Sequence, residues 1–304
     1  MKRILFVTDQ TFEERGYGGA EITIKELGKR VKLPVDVEYL SLSEYKKAGG
    51  HGDWIPRVLT VFSNIALWDQ ADINALALEA PYIKMEFDYG FCKTHLKNCD
   101  DGCKSCVEDG WYKTFLEGAE RIFFTCPMQK DAYRRILGSV ADNSILNPSW
   151  IDPDLWTDFS NTVRDPHMAM YHGRLFPHKG VLEIAKLAVD NPDVKFVIVG
   201  SGPPEIERRM SLVRNVHLLG EVDYSTLLAL LNRTTTWMMP SQWDDTGPMA
   251  AIEAYLCGAK LAHNGRLGYL SYPWDWENRD SVRDELRRIP ERFWGEIASV
   301  LDSL

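Results

Sequence analysis

Short apolar runs alternate with helix-period segments along this chain, from "RILFVT" near the N-terminus onward, and that alternation restricts it to the layered α/β folds. "RILFVT" reads as a buried strand. A glycine-rich turn follows, and in "AEITIKELGKRV" the residues Ile22, Ile24, Leu27 and Val31 fall near a helical period. Further strands are expected at "VDVEYL", "RVLTVFS", "RIFFTC" and "NSILN", with helices around 69–79, 108–118 and 128–137. Residues 1–150 thus read as one layered α/β domain.

Residues 147–166, "NPSWIDPDLWTDFSNTVRDP", carry no sustained period and read as a connection between domains. A second series follows, with strands at "MAMYHG", "VKFVIVG", "VHLLG", "TTTWMM" and "AKLAHN" and helices around 180–189, 204–213, 224–232 and 248–257. This order implies a parallel sheet with helices on both faces over residues 167–280, whose ligands bind at the carboxyl ends of the strands. The last segment, 281–304, reads as two charged amphipathic helices broken at Pro290. A chain of 304 residues exceeds what one hydrophobic core usually serves, which agrees with two domains.

A formal net charge of -9 argues against a nucleic-acid coat or a strongly anionic membrane surface as partner. No apolar run reaches the length of a membrane span, and the first residues turn acidic too soon for a signal peptide. A cytoplasmic protein is expected, with peripheral membrane contact through exposed aromatics left open. Four of the six cysteines crowd into "CKTHLKNCDDGCKSC" as Cys92, Cys99, Cys103 and Cys106. In a reducing cytosol such a cluster suits a metal better than disulfides. Cys126 and Cys257 read as packed thiols.

Three strand-end loops of the second series carry residues able to hold an anion. "YHGRLFPHKG" brings Arg174 and Lys179 to a helix N-terminus, where two cations and backbone amides suit a diphosphate. "IVGSGPPE" supplies Gly200 and Gly202, which let a ligand approach the backbone closely. "WDDTGPMAAIEA" combines Asp244 and Asp245 with a turn at Thr246, Gly247 and Pro248, where Thr246 or Gly247 caps a helix and Pro248 occupies its first position. Asp244 reads as a solvated neighbour. Glu253 interrupts the apolar face of that helix and calls for a partner.

In that order and spacing, "GRLFPHKG", "IVGSGP", "HLLGEV" and "PSQWDDTGPMAAIEAYLCG" resemble the donor domain of the group-1, family 4-like retaining glycosyltransferases of GT-B architecture. "YGGAE" resembles that family's N-terminal glycine loop. The resemblance implies two Rossmann-like parallel-sheet domains facing across a cleft and a nucleotide-diphosphate sugar as donor. Glu253 would hold the ribose hydroxyls and Asp245 the donor sugar, without acting as nucleophile. Arg174 and Lys179 would neutralise the diphosphate, helped by amides near Gly247 to Met249 and without a catalytic metal. The backbone around Glu221 and Val222 would meet the base, and Gly18 and Gly19 would approach the phosphates or the acceptor.

Two departures stand out. Asp245 is one methylene shorter than the family's usual glutamate, which implies either a reshaped sugar pocket or a contact bridged by water. The first-domain histidine of the family is replaced in "YIKMEFDYGFC" by Glu86 and Asp88, either of which suits an acceptor-side base. The acceptor itself is not specified: a glycan, a lipid-linked sugar or a small molecule fits better than DNA.

The cysteine spacings leave six, three and two intervening residues, so only the last pair forms a standard zinc hook. The cluster reads either as a structural zinc site ordering the acceptor-side loop or as a loop of reduced thiols or disulfides. His95 reads as a bystander. Some members of the family carry a comparable Asp-Tyr-x-x-Cys segment. Two other functions compete with transfer: a sugar-nucleotide epimerase or silent nucleotide-sugar binder, and a nucleic-acid-binding protein built on the cysteines, which the acidic "CDDGCKSCVEDG" disfavours. A transferase acting on modified DNA would merge glycosyl transfer with nucleic-acid binding.

Overall fold

The computed structural model describes residues 2–10, 18–50, 57–97, 99–108, 110–159 and 161–304. Tyr17 of the glycine loop lies outside them. The chain divides into two compact units, Met1–Ile151 with Arg288–Leu304, and Asp152–Arg287.

The first unit runs β1 (Lys2–Thr8), α1 (Gly19–Gly28), β2 (Val35–Ser41), α2 (Leu42–Lys47), β3 (Leu59–Phe62), α3 (Gln70–Glu79), β4 (Tyr82–Glu86), α4 (Trp111–Glu117), β5 (Arg121–Phe124), α5 (Pro127–Leu137) and β6 (Ser144–Leu146). Its described strands form one parallel sheet in the order β2-β1-β3-β4-β5-β6. Ile4 to Val7, Leu59, Val61, Phe62, Ile83 and Ile122 to Phe124 are almost wholly buried, which explains the continuous apolar runs: a strand covered on both faces has no polar side to alternate with.

The second unit runs β7 (Asp165–His172), α6 (Val181–Asp190), β8 (Lys195–Val199), α7 (Pro204–Ser211), β9 (Val216–Gly220), α8 (Tyr224–Arg233), β10 (Thr234–Met239), α9 (Met249–Leu256) and β11 (Lys260–His263). Its parallel sheet has the order β11-β10-β7-β8-β9. On α6, Val181, Ile184 and Ala188 face inward at helical spacing. The two-domain Rossmann-like α/β fold expected from the sequence is present.

Local expectations shift in four places. The C-terminal segment is a single helix, α10 (Arg279–Ser303), with Pro290 inside it. Val282, Leu286, Ile289, Phe293, Trp294, Ile297 and Val300 form an unbroken buried stripe along it. Each buried side chain of that size contributes about 1.5–3 kcal/mol, and together they outweigh the roughly 3 kcal/mol that an interior proline costs. Second, α4 starts at Trp111 rather than near 108, because the chain before it turns at Gly110 with φ 66°. Third, Pro248 is the N-cap of α9 and Met249 its first residue, one position later than the sequence suggested. Fourth, α2 was not foreseen: the Ser41 hydroxyl accepts from the Glu44 amide at 3.3 Å and the Glu44 carboxylate accepts from the Ser41 amide at 2.9 Å, a capping box that starts a helix too short to show a period.

Candidate functional site

In the second sheet β7 lies between β10 and β8, so the connections that leave β7 and β10 depart to opposite sides. A crevice opens at such a reversal, at the carboxyl ends of the two strands. His172 ends β7, and the loop after it carries Arg174 and Lys179. The loop after β10 carries Asp245 and leads into α9 with Glu253. Gly180, at φ 82°, caps α6; a Cβ there would lie 2.0 Å from the Pro240 carbonyl oxygen, so only glycine lets the two loops meet. The Gln242 amide donates to the His178 carbonyl at 2.8 Å and ties them together.

Asp245 is 3% exposed. Its amide donates to the Arg266 carbonyl at 2.9 Å and its carbonyl accepts from the Gly268 amide at 2.6 Å, so the backbone of residues 266–268 fixes it from behind. Lys179 Nζ donates to Asp245 Oδ2 at 2.5 Å and lies 5.0 Å from the centre of the Trp243 ring. Arg174 is exposed, 5.6 Å from the Phe176 ring, and no carboxylate pairs with it among the described residues. His178 stacks on Phe176 at 5.5 Å and meets Trp243 edge-on at 5.9 Å. Burial, and then the neighbouring Lys179 charge, lower its pKa from 6.5 to about 4, so it is neutral at pH 7 and leaves Arg174 and Lys179 as the loop's cations.

Glu253 has a partner that sequence reading missed. His172 Nε2 lies 2.7 Å from Glu253 Oε2, and the Trp237 indole N–H donates to His172 Nδ1 at 2.9 Å. An indole N–H only donates, so Nδ1 presents its lone pair and the proton sits on Nε2, directed at the carboxylate. Trp237 is fully buried and His172 is 5% exposed, so the chain Trp237, His172, Glu253 is rigid. Glu253 Oε1 has no hydrogen-bond partner among the described residues. One carboxylate oxygen is thus anchored and the other is left for a ligand. The available signal was His172 itself, a polar residue closing an apolar strand.

The remaining donor-side candidates divide by environment. At Gly200 a Cβ would lie 2.1 Å from the Gly173 carbonyl oxygen, and at Gly202 it would lie 2.6 Å from Leu175, so the space these glycines free is filled by the chain's own β7 loop. The Gly202 amide is taken by Glu207 Oε1 at 2.9 Å. Glu221 is exposed and accepts from Ser201 Oγ at 2.9 Å, beside half-buried Val222. Thr246 and Pro248 are buried, Gly247 and Met249 half-buried, and Asp244 is half-buried rather than solvated.

In the first unit, Gly18 caps α1 and its amide donates to Glu21 Oε2 at 2.8 Å; Gly19 is the first residue of that helix. At the end of β4 a cavity of about 230 Å³ is lined by Lys84, Glu86, Asp88, Cys92, Trp111 and Tyr112, among others. Glu86 accepts from the Tyr112 hydroxyl at 2.5 Å and the Tyr133 hydroxyl at 2.7 Å, while Lys84 Nζ donates to the Ser63 carbonyl at 2.7 Å and lies 3.7 Å from Glu86. Burial lowers the Lys84 pKa below its ordinary value. Asp88 is half-buried. The Sγ atoms of Cys92, Cys99, Cys103 and Cys106 all lie within 4.8 Å of one another; His95 is not part of that group.

Beside this network Asp9 accepts from the Ala66 and Leu67 amides at 3.1 and 3.0 Å. Burial raises its pKa from 3.8 to about 6, against the two amides that lower it. The folded chain therefore holds this proton more tightly than the unfolded one. The stability so gained is complete below pH 4 and is lost as pH rises through 6, by at most about 3 kcal/mol at 1.36 kcal/mol per pKa unit. Denaturant unfolding from pH 4.5 to 7.5 is expected to show this decline in the wild type and a flatter profile in Asp9→Asn.

Residues 154–269 match the family model for glycosyl transferases group 1. No curated protein sequence matches the chain. Among solved structures it is similar to HepE from Anabaena in complex with UDP and glucose, with a TM-score of 0.66 and 15% identity over the whole of both chains. It is similar to sucrose-phosphate synthase from Thermosynechococcus elongatus, with a TM-score of 0.66 and 17% identity over the whole of this chain and 95% of the other. AviGT4, a glycosyltransferase of avilamycin A biosynthesis, gives 0.59 and 16% over the whole of this chain and 96% of its own. These likenesses establish a common fold. The matched segment contains Arg174, Lys179, Asp245, Glu253 and His172, and over those residues the chain is similar to the glycosyl transferases group 1.

Proposed function

We propose that this chain transfers a glycosyl group from a nucleoside-diphosphate sugar to a hydroxylated acceptor, with retention at the anomeric carbon. The observation that carries this reading is the half-satisfied carboxylate of Glu253, anchored on one oxygen by His172 at 2.7 Å, at a sheet reversal that also holds Lys179 and Asp245. A carboxylate with a free oxygen suits the paired hydroxyls of a ribose. In the reaction the bond from the anomeric carbon to the diphosphate oxygen breaks, a bond to the acceptor oxygen forms, and the nucleoside diphosphate leaves with its negative charge. Arg174, Lys179 and the amides of Gly247 and Met249 at the start of α9 stabilise that charge. Asp245, immobilised by Lys179 and by its backbone bonds, holds hydroxyls of the donor sugar. Glu221 and Val222 flank the base, and Gly18 and Gly19, lacking side chains, let a ligand approach the backbone closely.

On the acceptor side, Glu86 accepts two tyrosine hydroxyls and so positions Tyr112 in the cavity wall, while Asp88 is the group we assign to receive the acceptor proton. UDP is the first nucleotide to try, since HepE is solved with it. The test is incubation with UDP-sugars and a panel of hydroxylated acceptors, following UDP release and the anomeric configuration of the product by NMR. Product of the donor's own configuration is expected. An inverted product would overturn retention; an epimerised donor, or binding without turnover, would overturn transfer.

A further inference from the structure

We propose that Cys92, Cys99, Cys103 and Cys106 hold one zinc ion, and that this ion forms the rigid wall of the first unit's cavity. The site rests on geometry alone and stands whether or not the nucleotide-sugar reading is correct.

The sulfur positions favour a metal over the alternatives. Cys99 Sγ lies 3.5 Å from both Cys92 Sγ and Cys106 Sγ, and Cys103 Sγ lies 3.6 Å from Cys92 Sγ. A disulfide needs about 2.05 Å, so these are four separate sulfurs. Four sulfurs at about 2.3 Å from a central zinc in a tetrahedron lie about 3.8 Å from each other. The observed separations, 3.5 Å at the shortest and all within 4.8 Å, enclose that value. Four thiols collected purely by hydrophobic packing have no reason to turn all their sulfurs towards one another.

The backbone is shaped to the same end. The Lys93 amide donates to Cys106 Sγ at 3.4 Å and holds that sulfur towards the other three. Gly102 and Cys103 both take left-handed conformations, at φ 67° and 68°, and the second is uncommon for a residue with a Cβ. Asp101 holds the turn by accepting from the amides of Cys103 at 2.9 Å and Ser105 at 2.8 Å. Between β4 and α4 the described residues contain no regular element beyond the three-residue 3-10 turn Lys104–Cys106. A connection of this length without secondary structure needs another source of order. Cys92 and Cys103 are nearly fully buried at its centre.

All four thiolates are committed to the ion, so no coordination position remains for a substrate and the role is structural. The consequence lies in the cavity, since Cys92, Lys93, His95 and Cys106 line it together with Lys84 and Trp111. Fixing the four sulfurs fixes that wall. The softness of a four-thiolate set and its closed geometry select zinc over the oxygen-seeking cations.

Elemental analysis of the full chain purified under reducing conditions tests this, with zinc expected at one equivalent. Cys103→Ser and Cys106→Ser are expected to lose it, and Cys126→Ser, outside the cluster, to keep it. Should the cluster variants fail to fold, stripping wild-type protein with a chelator and refilling it with cobalt(II) is the second arm. Cobalt is then expected to give the visible absorption of a tetrahedral tetrathiolate complex, and amide exchange over residues 92–110 to accelerate in the stripped protein and slow on refilling. Native protein that carries no metal and takes up neither zinc nor cobalt would overturn the proposal. So would four cysteines paired as disulfides by intact mass, or iron in place of zinc at one equivalent.

Discussion

Glu253→Ala is expected to weaken binding of UDP by about 30- to 150-fold, the equivalent of the roughly 2–3 kcal/mol that hydrogen bonds to a charged group contribute at a ribose diol. Glu253 Oε2 is held by His172 Nε2 at 2.7 Å, and in the proposed site Oε1, which has no partner among the described residues, receives the hydroxyls. Glu253→Gln keeps one acceptor and is expected to fall between the two. Alanine also orphans the His172 N–H, which costs about 1–3 kcal/mol of stability, so affinities are compared only where each variant is folded. The discriminating measurement uses ribose chemistry: the wild type is expected to prefer UDP over its 2′-deoxy analogue, and Glu253→Ala to bind both alike. Equal discrimination by wild type and variant in calorimetry would remove Glu253 from the ribose.

The elements of the site were legible in the sequence to different degrees, for physical reasons. Strands covered on both faces have to be apolar throughout, so "RILFVT" or "VKFVIVG" announce themselves, and glycine and proline mark the exits where ligands bind. What a local pattern cannot encode is which exits meet. His172 and Glu253 are 81 residues apart, and Lys179 and Asp245 are 66 apart. Both pairs form because β7 and β10 are neighbours, a property of strand order rather than of either segment. Pro290 misled in the opposite direction: a strong local breaker was outweighed by a buried stripe extending to both sides of it. The cysteines were conspicuous as residues, yet only the fold decides whether a six-residue gap can bring Cys92 and Cys99 to 3.5 Å. Lys84 gave no signal, since a lysine in a strand is read as an exposed position until its ammonium is found among carbonyls.

Lys179→Met is expected to act twice, and separating the two effects tests the assignment of the leaving-group cations. The Lys179 side chain is 17% exposed and that of Asp245 5%, so this is not a surface pair. Removing the ammonium leaves a buried carboxylate uncompensated, which costs about 3–5 kcal/mol in fully buried pairs and less here, where the lysine is partly exposed. Thermal unfolding is expected to show that loss directly. Adding Asp245→Asn removes the orphaned charge and is expected to restore most of the stability. Turnover behaves differently if Lys179 faces the departing diphosphate: losing one preorganised group for developing charge lowers kcat by about 10²- to 10³-fold, and neutralising Asp245 does not return it. A double variant as stable as the wild type but still slow therefore places the lysine at the leaving group. Recovery of kcat together with stability would make Lys179 a prop for Asp245, and would leave Arg174 and the α9 N-terminus as the stabilisers of the diphosphate.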